Sequence, residues 1–178
     1  SEAEQRRRAK IVNFSIVYGK TAFTLGKEFG VPTREAQAFI DSYFDKYARV
    51  RELLDKIVRE AQLTGKVKTL FGRQRYIPEI GSRNRATREA AKRVAVNAPI
   101  QGTAADLIKK AMVDLKRELT GRGLESRLLL QVHDELVLEV PEKEIEDASR
   151  LVREVMEGCY PLAVPLRVDV EVGPTWRH

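Results

Sequence analysis

Arg6, Lys10, Phe14 and Tyr18 stand at every fourth position near the start of the chain, and Gly19 follows at once. On an α-helix, residues four apart share one face, each a turn above the last. The spacing therefore predicts a row of two cations, an aromatic plane and a second aromatic, with the helix stopping at Gly19. Cations suit the phosphates of a nucleoside triphosphate, and rings suit its sugar and base. The same stretch also reads as an ordinary amphipathic helix. Ile11, Val12, Phe14, Ile16 and Val17 would then be a buried stripe and Arg6 to Lys10 a solvated basic start. Spacing by itself leaves both readings open.

A second constellation lies near the other end. Leu128-Leu129-Leu130-Gln131-Val132-His133-Asp134-Glu135-Leu136-Val137-Leu138-Glu139-Val140 sets three polar residues between two apolar runs. Two strands joined by a tight turn, with Asp134 at or beside its tip, account for this pattern. A carboxylate at the edge of a core needs a partner, and a divalent cation is the obvious one. The alternative is a surface hairpin whose turn happens to be His-Asp-Glu, since Asp favours turns. The flanking apolar runs are expected to hold the turn against a core.

Positioning these residues requires helices first and a small sheet later. A short helix is expected near Ala22 to Phe29, then a long one from Thr33, its N-cap, with Ala36, Phe39, Ile40, Tyr43, Phe44, Tyr47, Val50, Leu53, Leu54, Ile57 and Val58 at helical spacing. The aromatics among them read as core. Gly65 breaks the pattern, and Val67 to Leu70 and Tyr76-Ile77 read as short strands around Phe71 to Arg75. A basic stretch from Arg83 to Arg93 opens a helix to about Leu119, ended by Gly121 and Gly123. Pro99 is expected to kink it. Arg127 to Val140 is a strand pair, Pro141 to Met156 a helix, and Leu166 to Val172 alternates as a final strand before Gly173-Pro174.

The composition is globular, with 33% charged and 43% hydrophobic residues. A single cysteine, Cys159, excludes a disulfide framework within the chain and fits a reducing compartment. No apolar run approaches the roughly 20 residues of a membrane span, and the polar start is no secretory signal, so no membrane partner is expected. Charge is unevenly spread. Residues 1–123 hold 26 Lys+Arg against 14 Asp+Glu, a net +12, whereas residues 124–178 hold 6 against 12, a net −6. That split suits a polyanion-binding surface beside a site that gathers carboxylates, if it is not an imbalance without function.

Taken together, these segments resemble the C-terminal part of a family A DNA polymerase of the bacterial DNA polymerase I type. The family's fingers motif, Arg, three residues, Lys, seven residues, Tyr-Gly, is met by Arg6, Lys10, Tyr18 and Gly19. Its palm motif, Val-His-Asp-Glu, is met by Val132-His133-Asp134-Glu135. The stretch from Arg93 through Asn97, Pro99 and Gln101 to Asp106, the segment Thr69-Leu70-Phe71-Gly72-Arg73, and Val164 through Trp176 also match. The resemblance covers essentially the whole chain, in the family's order.

The resemblance implies an α+β fold: fingers helices with connecting short strands over 1–80, then over 81–178 part of an antiparallel-sheet palm with a long DNA-contacting helix, a metal-binding hairpin, a helix and a final strand. It implies template-directed nucleotidyl transfer from a dNTP to a primer 3′-hydroxyl, a reaction that asks for positioning and charge neutralisation. Arg6 and Lys10 would contact the triphosphate, with Lys10 the candidate general acid for the leaving pyrophosphate. Phe14 would lie against the deoxyribose, where Phe in place of Tyr goes with rejection of nucleotides lacking a 3′-hydroxyl. Tyr18 would stack at the templating position. Asp134 would hold the two Mg²⁺ ions with Glu135 adjacent, and His133 would contact the primer terminus. Arg93, Asn97 and Gln101, four apart, would read the primer–template minor groove, whose acceptors are alike in every correct pair. Arg73 and Arg75, with Arg83, Arg85 and Arg88, would serve phosphates.

The family's second metal-binding Asp comes from a strand upstream of the fingers, and nothing before Arg6 supplies it. Asp169 and Glu171 are the local candidates, although the family does not use these positions for metal. The expectation is half an active site, inactive without an upstream portion carrying that Asp and the thumb. Ser15, where many members have Gly, is expected to matter little. A cytoplasmic, nucleoid-associated protein follows from the resemblance, with an organellar one the alternative. A single-subunit RNA polymerase shares a similar fingers motif, and a non-catalytic nucleic-acid-binding module would use only the basic face. Val-His-Asp-Glu and the Arg93 segment favour DNA synthesis.

Overall fold

A computed structural model describes residues 2–176, with side chains except at 2–5, 7 and 8. Within them the chain forms six α-helices and two antiparallel hairpins, an α+β architecture. It divides into two compact units, Ser1–Gly102 and Thr103–His178.

The first unit holds α1 (Glu2–Val17), α2 (Ala22–Phe29), α3 (Thr33–Lys46), α4 (Ala48–Thr64), β1 (Lys66–Lys68), β2 (Gln74–Tyr76) and the beginning of α5 (Arg85–Gly121). Thr21 caps α2, its Oγ1 accepting from Thr24 N at 3.2 Å. Asn84 does the same for α5, accepting from Thr87 N at 3.2 Å. Ala61, Val67, Ile77, Ile80, Ala91, Ala95 and Ala98 form one buried cluster. The start of α5 is thereby packed against α4 and the β1–β2 hairpin, and the compact unit runs to Gly102. Small residues on α5 permit that close approach: a Cβ on Gly102 would lie 2.6 Å from Thr69 Cγ2.

Three local expectations need correction here. Thr33 is the first helical residue of α3 and not its cap; Pro32 occupies the cap position, its carbonyl accepting from Glu35 and Ala36. The expected long helix is two, because Tyr47 leaves helical geometry at φ −115 and ψ 52. The aromatics of this stretch are not core: Phe39 is 49% and Tyr47 45% exposed. Tyr43 instead packs against Tyr47 at 4.9 Å and edge-on against Phe44 at 5.5 Å, and Arg51 lies 5.2 Å from the Phe44 ring. Burial, helped by the neighbouring Tyr47 hydroxyl, raises the Tyr43 phenol above its ordinary pKa. The core beneath α3 is Ala36 with Ala22 and Leu25, joined by Phe29, Val31 and Ile40.

The second unit is built from the rest of α5, β3 (Arg127–Val132), β4 (Glu135–Glu139) and α6 (Ile145–Gly158). Leu115, Leu119, Leu151 and Val152 are buried, with Leu124, Leu136, Leu138, Val155 and Met156 against them. β3 and β4 pair antiparallel with an irregularity between Leu128 and Leu130, which leaves Leu129 out of register. The expected final strand is absent: residues 161–176 carry no strand. Among the described residues of this unit, β3 and β4 pair with each other and with no third strand. Val168 N donates instead to Glu157 Oε1 at 3.0 Å.

Candidate nucleotide and nucleic-acid site

α1 carries an apolar stripe on one face and the Arg6, Lys10, Phe14 and Tyr18 row on another. Ile16 and Ser15 are buried and Ile11, Val12 and Val17 half-buried, so an apolar stripe does anchor the helix. Phe14 does not belong to it; it is 49% exposed, on the face of the exposed Arg6 and Lys10. The rings of Phe14 and Tyr18 lie 6.0 Å apart and 19° from parallel. Lys10, Ile11, Phe14, Ser15, Tyr18 and Lys20 line a recess of about 400 Å³.

The end of α1 is fixed by hydrogen bonds. Gly19 N donates to Ile16 O at 3.0 Å and Lys20 N to Ser15 O at 2.8 Å, with Gly19 left-handed at φ 76. This pair of bonds around a left-handed glycine satisfies the last carbonyls and holds Tyr18 at the helix terminus. Gly19 also admits a neighbour: a Cβ there would lie 3.3 Å from Arg93 Cγ. The stem of Arg93 thus rests on the turn that ends α1.

Arg93 and Gln101 are exposed on α5, and Asn97 between them is half-buried. α5 runs through Pro99 as one helix. Asn97 Oδ1 is buried and has no hydrogen-bond partner among the described residues. An unpaired buried acceptor costs about 1–3 kcal/mol.

The arginines divide. Arg75 on β2 is exposed, as are Arg83 and Arg85 beside the α5 cap. Arg73 donates from Nη2 to Gly102 O at 3.0 Å, tying the hairpin to α5. Arg88 donates to Ser82 O at 2.8 Å. For Arg73 and Arg88 the guanidinium braces this unit, a role that sequence reasoning did not find.

In the second unit the tight turn is as expected: Val132 pairs with Glu135, leaving His133 and Asp134 as its two residues. His133 takes φ 52, and its carbonyl accepts from Gln131 Nε2. His133, Asp134 and Glu135 are exposed, as are Leu129 and Leu130. The turn is therefore not held at a core edge. Leu136 and Leu138 reach the α5–α6 cluster, while Leu129 and Leu130 face away from it. Asp169 and Glu171 are exposed in a segment without strand structure.

Among the described residues no group of three or more His, Cys, Asp or Glu could hold a metal. Mg²⁺ is usually bound by one or two carboxylates, waters and substrate phosphates, so the exposed Asp134 carboxylate fits as one ligand of such a site and not as a whole cage.

One further group was missed by sequence reasoning. Glu144 is buried; Oε1 accepts from Glu125 N at 3.0 Å, and Oε2 accepts from Ser126 N at 3.0 Å and Ser126 Oγ at 2.7 Å. The Glu125 backbone N–H first, then the Ser126 hydroxyl, lower its carboxyl below the usual range. These bonds hold the approach to β3. Cys159 is buried, and burial pushes its thiol up, so it is poorly suited to act as a nucleophile.

No helix is long and apolar enough to cross a membrane among the described residues. The chain is 53% identical over 175 residues to thermostable DNA polymerase I of Thermus filiformis, covering 98% of the chain and 21% of that protein. It is 52% identical over 174 residues to DNA polymerase I of Geobacillus stearothermophilus, covering 98% of the chain and 20% of the relative. The chain thus spans about a fifth of the length of these curated relatives. Among solved structures it is similar to the POL domain of Pol1 from M. smegmatis in complex with DNA primer-template and dNTP. The TM-score is 0.89 at 47% identity, over 92% of this chain and 29% of that one. The family model described as DNA polymerase family A matches residues 1–178. With the ordered row on α1 and the Val-His-Asp-Glu turn both in place, the chain belongs to DNA polymerase family A.

Proposed function

We propose that this chain is the nucleotide-holding and carboxylate-bearing part of an enzyme that copies DNA, joining a dNTP to a primer 3′-hydroxyl. The observation that carries the reading is the row on α1: Arg6, Lys10, Phe14 and Tyr18 on one face, two stacked rings, and a recess beside them. Arg6 and Lys10 hold the triphosphate, Lys10 also donating a proton to the departing pyrophosphate. Phe14 packs against the deoxyribose, and Tyr18 waits at the templating position. Arg93 and Gln101, with Asn97, contact the minor groove of the primer–template. Arg75, Arg83 and Arg85 serve phosphates, while Arg73 and Arg88 brace the unit.

Family A polymerases use divalent metal. Asp134 would hold Mg²⁺ through its carboxylate, with Glu135 adjacent, and the ion when bound neutralises charge on the reacting phosphates. His133 orients the primer terminus. The partners are primer–template DNA, dNTP and the polymerase portion that carries the second Asp and the thumb; the compartment is the cytoplasm. The test supplies that portion as a separate polypeptide and follows primer extension with Mg²⁺. Incorporation of deoxynucleotides over ribonucleotides is expected. Equal use of both contradicts the assignment to DNA synthesis, and no extension by a properly assembled pair contradicts the polymerase reading.

A further inference from the structure

The recess beside α1 has a cation at each end. Lys10 stands at one, a turn before Phe14; Lys20 stands at the other, beyond Tyr18. The turn at Gly19 sends the chain back on itself, and the 2.8 Å bond from Lys20 N to Ser15 O fixes the Lys20 backbone against the last turn of α1. Lys20 is one of the residues that line the aromatic recess. Its ammonium lies 2.5 Å from Glu28 Oε2 on α2, with side chains 37% and 39% exposed. A pair so exposed is weak and leaves the lysine available to a stronger anion.

Which anion is set by distance. Lys10 and Tyr18 are eight residues apart, about 12 Å along the helix. A triphosphate on Arg6 and Lys10 with its sugar on Phe14 spends that length on sugar and base, so its phosphates do not reach Lys20. An anion at the Tyr18 end must come from the strand whose base meets Tyr18. We propose that Lys20 binds a backbone phosphate of the template strand beside the templating base, and that Glu28 holds the lysine in place until the strand arrives. This inference rests on the reading of α1 as the nucleotide helix.

The test uses the 178-residue chain, with far-UV circular dichroism to establish that each variant is folded. Binding of a labelled primer–template with a 5′ overhang is followed by fluorescence anisotropy at several salt concentrations, and dNTP binding by calorimetry. For Lys20→Ala and Lys20→Met the expected result is overhang binding about fivefold weaker. The slope of log affinity against log salt falls by about 0.7, one single-strand phosphate contact. Binding of dNTP is unchanged. Glu28→Gln releases the lysine and tightens overhang binding a few-fold. The proposal is overturned if the Lys20 variants leave affinity and slope as they were, if they weaken dNTP binding as much as Lys10→Ala does, or if the unaltered chain binds no overhang. Lys10→Ala tells the two claims apart: loss of dNTP affinity there keeps the nucleotide reading of α1 whatever Lys20 does, and no loss removes it.

Discussion

Gly19→Ala should cost more than its backbone alone explains, and the surplus measures the contact between the end of α1 and Arg93. An alanine held at φ +76 costs about 1–2 kcal/mol against glycine. Loss of unfolded-state freedom returns about 0.4–1 kcal/mol, for a net of about 1 kcal/mol. Gly65 provides the control, since it has φ +70 and nothing within 4 Å of its added Cβ. At Gly19 the new methyl would sit 3.3 Å from Arg93 Cγ and 3.8 Å from Cδ, so the arginine stem must give by a few tenths of an ångström, pulling its χ angles off their staggered minima. That adds about 0.5–1.5 kcal/mol. Urea unfolding should therefore give about 2 kcal/mol for Gly19→Ala and about 1 kcal/mol for Gly65→Ala. In a cycle with Arg93→Ala the surplus should vanish, giving a coupling of about 1 kcal/mol. Equal costs at the two glycines, or a coupling below about 0.3 kcal/mol, would refute the packing of Arg93 on this turn.

Asn97→Leu removes an unpaired buried oxygen at nearly constant volume and should stabilise the chain by about 1 kcal/mol in urea while weakening primer–template binding, a trade expected of a residue kept for a ligand. Glu144 has a folded pKa below its unfolded one, so its contribution is full above the unfolded value of about 4.3 and is lost as pH falls through the folded value. Urea midpoints across that acid range should fall steeply for the natural chain and less steeply for Glu144→Gln; parallel curves would contradict the three-bond account. Leu151→Ala, fully buried among Leu115, Leu119 and Val152, should cost about 3 kcal/mol in the same assay, whereas Leu63→Ala, 87% exposed, should stay within about 0.5 kcal/mol.

What could be read from the residues was local geometry. The fourfold spacing of Arg6, Lys10, Phe14 and Tyr18 fixes a shared face once a helix forms, and Gly19 marks its end, so this part of the site was legible before any packing was known. The two-residue turn at His133-Asp134 was legible for the same reason. Burial was not. Phe39, Tyr43, Phe44 and Tyr47 keep core spacing, yet only a neighbouring surface can bury them, and within their unit Tyr43 and Phe44 are half-buried while Phe39 and Tyr47 stay exposed. The bend at Tyr47 has no Gly or Pro to announce it. Leu166 to Val172 alternates like a strand, but a strand also needs a partner edge. Glu144 reaches back to Ser126, 18 residues away, and Arg73 reaches to Gly102, 29 residues on. Such contacts carry no signal in spacing, which is why sequence reasoning passed over Glu144 and over the brace that Arg73 makes.

The most direct test replaces the matching segment of the Thermus filiformis polymerase with this chain, with and without Asp134→Ala, and measures primer–template affinity and single-turnover dNTP incorporation together. The account predicts an active chimera whose Asp134→Ala form keeps its DNA affinity and loses incorporation by at least about a hundredfold. A folded Asp134→Ala chimera that incorporates at the parent rate, or one that loses DNA binding and turnover in equal measure, would contradict it.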